Sequence, residues 1–149
     1  MSDFDEKMMQ KLKRLEREVE RLQRWESGKF IALTTPLTST DWDGDAFSTT
    51  NKTKIDLSVV FGVPAGVKAV YVFVAIKDSA SSTTETYFRL SPNSFSYSGL
   101  AINCGHLDDV YTRHNFIVPC DSNGDIYYEI MASGTDTMDV YMEIWGYWL

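Results

Sequence analysis

Four residues in the second half of the chain are of the types that bind zinc: Cys104, His106, His114 and Cys120. Two thiolates and two imidazoles make a common tetrahedral zinc set. The spacing differs from that of zinc fingers and ribbons, because no Cys-x-x-Cys pair is present. It therefore favours two buried free cysteines, with a disulfide as the second interpretation and zinc as the weakest. No resident cofactor is expected.

Catalytic signatures are lacking from the sequence. There is no Gly-x-Ser-x-Gly, no His-Glu-x-x-His and no glycine loop of the phosphate-binding type. The acidic segments 41–45 and 121–125 offer oxygen ligands to calcium, but glycine stands at their fourth position, not the sixth, and glutamate does not stand at the twelfth. Solvated turns are the preferred interpretation of both segments, and we expect a protein that is not an enzyme.

Three aromatic residues in or beside expected loops are candidates for ligand contact. Aromatic rings beside hydrogen-bonding groups suit sugars, which offer an apolar face and hydroxyl edges. Loop aromatics also pack against the ends of a β-sandwich, so packing is an equal alternative. The candidate set is Trp42, Asp43, Tyr97 and Tyr111.

The elements that must position these residues differ sharply in composition. Residues 1–29 contain 15 charged residues with a net charge of +1, whereas residues 30–149 contain 20 with a net charge of −8. A charge-dense segment followed by one rich in Thr, Ser, Val and Tyr indicates a helix followed by sheet. We expect a helical domain at 1–28, ended by Ser27-Gly28, and a β domain at 29–149.

The N-terminal helix carries a heptad pattern. Its apolar residues are spaced 4-3-4-3, and charged residues flank the narrow stripe, as in a coiled-coil seam. The segment 11–16 is also similar to the signature of short trimeric coiled coils, with Lys11 where that signature has Arg. An amphipathic helix docked on its own domain is the alternative. The stripe consists of Met8, Leu12, Leu15, Val19 and Leu22. Because it is shorter than three heptads, it is not expected to hold an oligomer together alone.

Short strands separated by turn signals account for the rest of the chain. The expected strands are 29–33, 54–61, 68–77, 84–90, 99–103, 115–118, 125–132 and 137–149. Asn123-Gly124 is the strongest hairpin signal among the turns. Eight strands without helices predict an antiparallel β-sandwich or jelly roll, with strand order left open.

Two of these strands are apolar on both faces. Sandwich strands usually point one face to the core and the other to water. Here the second faces carry Tyr71, Phe73, Tyr141 and Trp145, which a monomer would expose as an apolar patch. We expect these four residues to be buried between subunits. The argument is independent of the coiled coil and leads to the same oligomer.

Charge and hydropathy restrict the partners. A net charge of −7 argues against nucleic acid, and no apolar run approaches the roughly 20 residues of a membrane span. The acidic N-terminus lacks the layout of a signal peptide, so synthesis in a cytosol is expected.

A short coiled coil leading into an all-β head with an aromatic last strand resembles the fibre and receptor-binding proteins of tailed bacteriophages. The segments that carry the likeness are 63–70, 89–93, 118–125 and 144–147. The resemblance implies a homotrimer in a virion, attached to other virion proteins through its N-terminal end, whose head binds a host surface glycan or protein. The chain is short for a tail fibre, so a head fibre, neck appendage or capsid decoration protein is a variant of the same interpretation.

Two alternatives stay open. One is a purely structural capsid, neck or tail decoration protein with no host ligand. The other is a carbohydrate-binding module of a cellular system. The coiled coil argues against that module.

Overall fold

A computed structural model describes residues 2–26, 28–81, 85–105 and 107–149, and only the backbone of residues 24–26. In chain order the elements are α1 (Asp3–Glu26), β1 (Phe30–Phe47), β2 (Thr50–Ile55), α2 (Leu57–Val60), β3 (Ala69–Asp78), β4 (Tyr87–Ser91), β5 (Leu100–Asn103), β6 (Thr112–Pro119), β7 (Ile126–Met131) and β8 (Met138–Trp148). The predicted class, a mostly β chain behind an N-terminal helix, is confirmed.

The strands form two four-stranded antiparallel sheets. Sheet 1 has the order β1-β8-β3-β6 and sheet 2 the order β2-β7-β4-β5. Only β4 and β5 are consecutive strands of one sheet, and every other connection in the described strands crosses between the sheets. Two sheets connected in this way have jelly-roll topology. The strand order thus decides between the two architectures that the sequence left open.

The core lies between the sheets and follows the two-residue period of the strands. On β3, Val70, Val72, Val74 and Ile76 are fully buried, and on β8 the same holds for Val140 and Ile144. Residues from sheet 2, including Phe88 and Ile130, join them in a single cluster. Alternate residues of β3 and β8 therefore point away from this core.

The segment expected as a strand at 54–61 is only partly β. Strand β2 ends at Ile55, and Asp56 caps the single-turn helix α2 by accepting hydrogen bonds from Ser58 N (3.1 Å) and Val59 N (3.2 Å). An aspartate in this position satisfies helix N–H groups that a strand would need to pair elsewhere. The strand prediction was wrong at these residues because the local cap outweighs their apolar character.

The hairpin expected at Asn123-Gly124 is not formed. This turn joins β6 of sheet 1 to β7 of sheet 2, so the two strands do not pair. Gly124 has a φ of +83°, and a Cβ there would lie 2.6 Å from Gly66 N. Glycine at position 124 therefore serves the close approach of two loops.

Helix α1 does not bury its apolar stripe in the described chain. Met8, Leu12, Leu15, Val19 and Leu22 are 45–54% exposed. The expected alternative of a helix docked on its own domain is therefore not seen. Leu149 N donates to Lys29 O at 3.1 Å, which places the chain's exit from the helix beside the C-terminus. Within the described residues, no helix is both long and apolar enough to cross a bilayer.

Candidate functional site

The outward side of sheet 1, which we call the outer face, carries five of the residues singled out from the sequence. Register pairs Phe73 with Glu143 and Ala75 with Tyr141, so these side chains share one side of the sheet. The four expected interface residues all lie on this face. Its outward side chains are Phe30, Ala32, Asp43, Tyr71, Phe73, Ala75, Arg113, Asn115, Ile117, Tyr141, Glu143 and Trp145.

Two open grooves run along the outer face on either side of Phe73. The Trp145 groove, of about 510 Å³, is lined by Phe30, Ala32, Tyr71, Phe73, Asn115, Glu143 and Trp145. The Tyr111 groove, of about 410 Å³, is lined by Asp43, Gly44, Phe73, Ala75, Tyr111, Arg113 and Tyr141. Both are shallow troughs of aromatic character, suited to a complementary surface or an extended ligand.

A carboxylate is fixed in the middle of this aromatic surface. Trp145 Nε1 donates to Glu143 Oε2 at 2.7 Å, and the Tyr141 hydroxyl donates to Glu143 Oε1. The hydrogen bond to Glu143 raises the pKa of Tyr141 to about 12. The sequence analysis did not single out Glu143. Its spacing does carry a signal, because Tyr141 and Trp145 stand two residues to either side and side chains two residues apart lie on the same face of a strand.

Two of the four expected ligand residues come together in the Tyr111 groove. Asp43 is paired in register with Tyr141, and Tyr111 lies across the groove. The Tyr111 ring has Lys77 Nζ at 5.3 Å and the Arg113 guanidinium at 5.5 Å from its centroid. The groove thus combines aromatic rings, a carboxylate and cations.

Lys77 is held at the edge of this groove by acidic neighbours. Its Nζ lies 3.2 Å from an oxygen of Asp109 and 3.7 Å from one of Asp139. The hydrogen bond to Asp109 raises the pKa of Lys77. Lys77 therefore stays charged, with both carboxylates as partners.

Trp42 belongs to the core and not to a surface site. It is 4% exposed, stacks on Phe47 with ring centroids 5.0 Å apart, and contacts Tyr128 edge-on at 4.7 Å. The expectation of a loop position was wrong because β1 continues to Phe47, far beyond the expected end at residue 33. In the longer strand the Trp42 side chain points inward.

Tyr97 is separated from the other ligand candidates. It is 76% exposed in the connection between β4 and β5, at the opposite end of the sandwich from Tyr111. Its backbone N–H donates to Glu129 Oε2 at 3.4 Å, and Arg89 lies over its ring at 5.8 Å. The four candidates therefore do not form one site.

The cysteines and histidines do not form a metal centre in the described residues. Cys104 and Cys120 are both free, and burial raises the pKa of both thiols, that of Cys120 to about 12. A raised pKa disfavours the thiolate that a metal requires. His114 is exposed on β6 and stacks on Phe116, while His106 lies outside the described residues. No group of three or more possible metal ligands occurs in the part of the chain that is described.

The outward side of sheet 2 differs from the outer face by pairing its own polar groups. Arg89 and Glu129 form an ion pair at 2.9 Å, and both side chains are largely buried. Lys52 Nζ donates to Ser98 O at 2.6 Å, and burial lowers the pKa of this lysine. Sheet 2 therefore satisfies its own polar side chains, whereas sheet 1 presents aromatic ones.

Comparison with protein-family models gives no match for this chain. A comparison with curated protein sequences likewise gives no significant similarity. The function is therefore inferred from the heptad stripe of α1 and the outer face of sheet 1.

Proposed function

We propose that the protein is a non-enzymatic appendage of a virus particle, a homotrimeric fibre head that binds a host-cell surface glycan. One observation carries the proposal. In the described chain the heptad stripe of α1 is exposed, and the outer face of sheet 1 presents half-buried aromatic side chains beside the exposed Phe30 and Ile117. Large uncovered apolar surfaces mark sites of association. Three copies would cover the stripe and the Trp145 groove of the outer face, and the Tyr111 groove would stay open to a ligand.

The coiled coil supports a parallel assembly through the N-terminal end. Leu15 and Val19, in the middle of the stripe, are 54% and 52% exposed. In a trimer these residues would pack in successive core layers. On the outside of such a coil, Arg21 pairs with Glu18 in its own helix at 2.6 Å. The N-terminal end would then attach to other proteins of the virion.

The jelly roll supports a division between an anchored and a distal end. Strand β1 begins at Phe30, next to the helix, and ends at Phe47, paired with Met138 at the start of β8. At that far end the β1–β2 connection is hydrogen-bonded to the β7–β8 connection, since Ser48 Oγ donates to Asp136 Oδ1 at 3.0 Å. The Tyr111 groove opens near this end, because Asp109 N donates to Asp78 O at 2.8 Å.

The proposed mechanism of host binding is avidity. Three identical weak sites at the distal end would engage a repetitive glycan surface together. Linking sites in this way raises the apparent affinity by about 10²-fold or more without any new contact. Asp43 and Tyr111 would contribute to each site.

The solution mass of the full-length protein is the first test, by sedimentation equilibrium. A trimer supports the proposal, and a monomer across the accessible concentration range contradicts it. A glycan array probed with the labelled protein is the second test. Binding by a monomer would favour the alternative of a carbohydrate-binding module.

A second candidate function is a capsid, neck or tail decoration protein without a host ligand. The observation that favours it is the scatter of the four ligand candidates, with Trp42 in the core and Tyr97 at the other end of the sandwich. A trimer that binds neither host cells nor any glycan of the array would support this candidate.

A further inference from the structure

The outer face carries an acid without a cationic partner. Glu143 accepts hydrogen bonds from Tyr141 and Trp145, which fix its carboxylate among aromatic rings. Among the described residues it forms no ion pair. Burying an ionised carboxylate against an apolar surface is costly unless the surface supplies a cation. Whatever covers this face should therefore bring a positive charge to Glu143.

The same face carries a cation without an acidic partner. Arg113, on the edge strand β6, is exposed and lies over the Tyr111 ring. Asp43 and Arg113 line one groove, yet no ion pair to Arg113 is formed in the described part of the chain. Arg113 and Glu143 are thus opposite charges on one face, and neither forms an ion pair in the described chain.

Arg113 and Glu143 do not pair with each other in the described chain. Phe73 is level with Glu143 on β8, whereas Ala75, two residues further along β3, is level with Arg113 on β6. Two strand spacings and two residues place their Cα atoms about 12 Å apart. Glu143 is held by Tyr141 and Trp145 and forms no ion pair in the described chain, so a cation on a covering surface can pair with it.

We propose that the outer face binds a second copy of the same chain, with Arg113 of one copy paired to Glu143 of the next. Such a contact is heterologous, since different halves of the face meet, and repeated rotation closes it into a ring. Arg113, on the edge strand β6, would reach over the Trp145 groove of its neighbour, and Asp43 and Tyr111 would stay open at the distal end. This inference rests on the proposed homotrimer and names the residues that fix its geometry.

Charge reversal in the full-length protein tests the pair. Arg113→Glu and Glu143→Arg are made singly and together, with Lys68→Glu as the matched control, because Lys68 is exposed and outside the outer face. Sedimentation equilibrium gives the concentration at which half of the chains are assembled. Each single reversal is expected to raise this half-assembly concentration by about tenfold or more. In the double variant the half-assembly concentration should return to within about threefold of the wild-type value. Lys68→Glu is expected to leave it unchanged.

The outcomes separate this inference from the proposed function. A wild-type trimer whose single variants assemble normally, or whose double variant is no better than the worse single one, overturns the pair and leaves the trimer standing. A monomeric wild type overturns both. Loss of glycan binding in Arg113→Glu at unchanged mass also overturns the pair, because Arg113 would then contact a ligand. Near-ultraviolet circular dichroism checks that each variant is folded, and Arg113→Glu leaves the Glu143 hydrogen bonds in place.

Discussion

At the scale of single residues, the hydrogen bond between Tyr141 and Glu143 has a measurable signature. The pKa of Tyr141 lies at about 12, above its ordinary value of 10.0, because its hydroxyl donates to the carboxylate. A folded-state pKa above the unfolded one stabilises the fold below about pH 10, and this contribution is lost as the pH rises from 10 to 12. Glu143→Gln should move the pKa of Tyr141 back toward 10, as followed by ultraviolet absorbance titration. Unchanged titration in the variant would contradict the role of this bond.

Asp78 makes the opposite prediction at acidic pH. Burial raises its pKa, but hydrogen bonds from Ser133, Ala80 and Thr137 outweigh burial, and the net effect is a lowered pKa. A lowered folded-state pKa stabilises the protein above the ordinary value of 3.8, and this contribution disappears as the pH falls below it. Asp78→Asn should cost at least about 2 kcal/mol of unfolding free energy at neutral pH.

Urea denaturation at several pH values measures this cost. The exposed Asp45→Asn serves as the control, and its stability should follow that of the wild type. The difference between Asp78→Asn and the wild type should shrink as the pH falls from 4 through the lowered pKa of Asp78, where the wild-type carboxyl also loses its charge. A difference that does not change with pH would show that the Asp78 charge is irrelevant to stability.

At the scale of elements, the heptad stripe of α1 predicts how single substitutions act. Leu15→Asp places a charge at a core position of the proposed coil, where it would be desolvated against two further copies. The helical signal in circular dichroism should fall, since an isolated helix of this length is marginal in water. Arg17→Asp is the control, because Arg17 lies on the opposite side of the helix. Equal loss of helix in both variants would contradict the register.

Among the strands, the sequence pattern is sufficient to predict β3 and β8 but not β1. The alternation in β3 and β8 predicts both the buried face and the aromatic outer face, because each residue step reverses the side-chain direction. Strand β1 was predicted only at its start, since its Thr, Ser, Pro and Gly content resembles a loop. Its pairing with β8 shifts in register at three places, so no simple alternation is visible in the sequence. Trp42 was misplaced for this reason.

Tertiary contacts account for the remaining differences between the sequence predictions and the structure. The Asn123-Gly124 turn has hairpin chemistry, yet its flanking strands belong to different sheets, a choice made by core packing and not by the turn. Similarly, Asp43 and Tyr111 are 68 positions apart in sequence, and only the sheet register brings them to one groove. The spacing of two residues along the chain does not show whether the fold brings them into one groove.

At the scale of the whole molecule, the two uncovered surfaces should act together. In the proposed trimer a short coil would be weak alone, and the outer face would gain from it because tethered copies would meet at a high effective concentration. Leu15→Asp should therefore weaken assembly, with the head contact remaining. Tyr71→Asp, in the Trp145 groove, should weaken it from the head side with the coil remaining. The double variant should be monomeric and still folded, since both residues lie outside the core.

The consequence for binding follows from the same argument. If avidity operates, the monomeric double variant should bind a glycan-coated surface about 10²-fold more weakly than the wild type, although each individual site is intact. Surface plasmon resonance at high and low glycan density measures this directly. The two proteins should converge at low density, where only one site of a trimer can engage. A wild type whose affinity is the same at both densities would show that three sites do not act together, and would leave the structural decoration protein as the better interpretation.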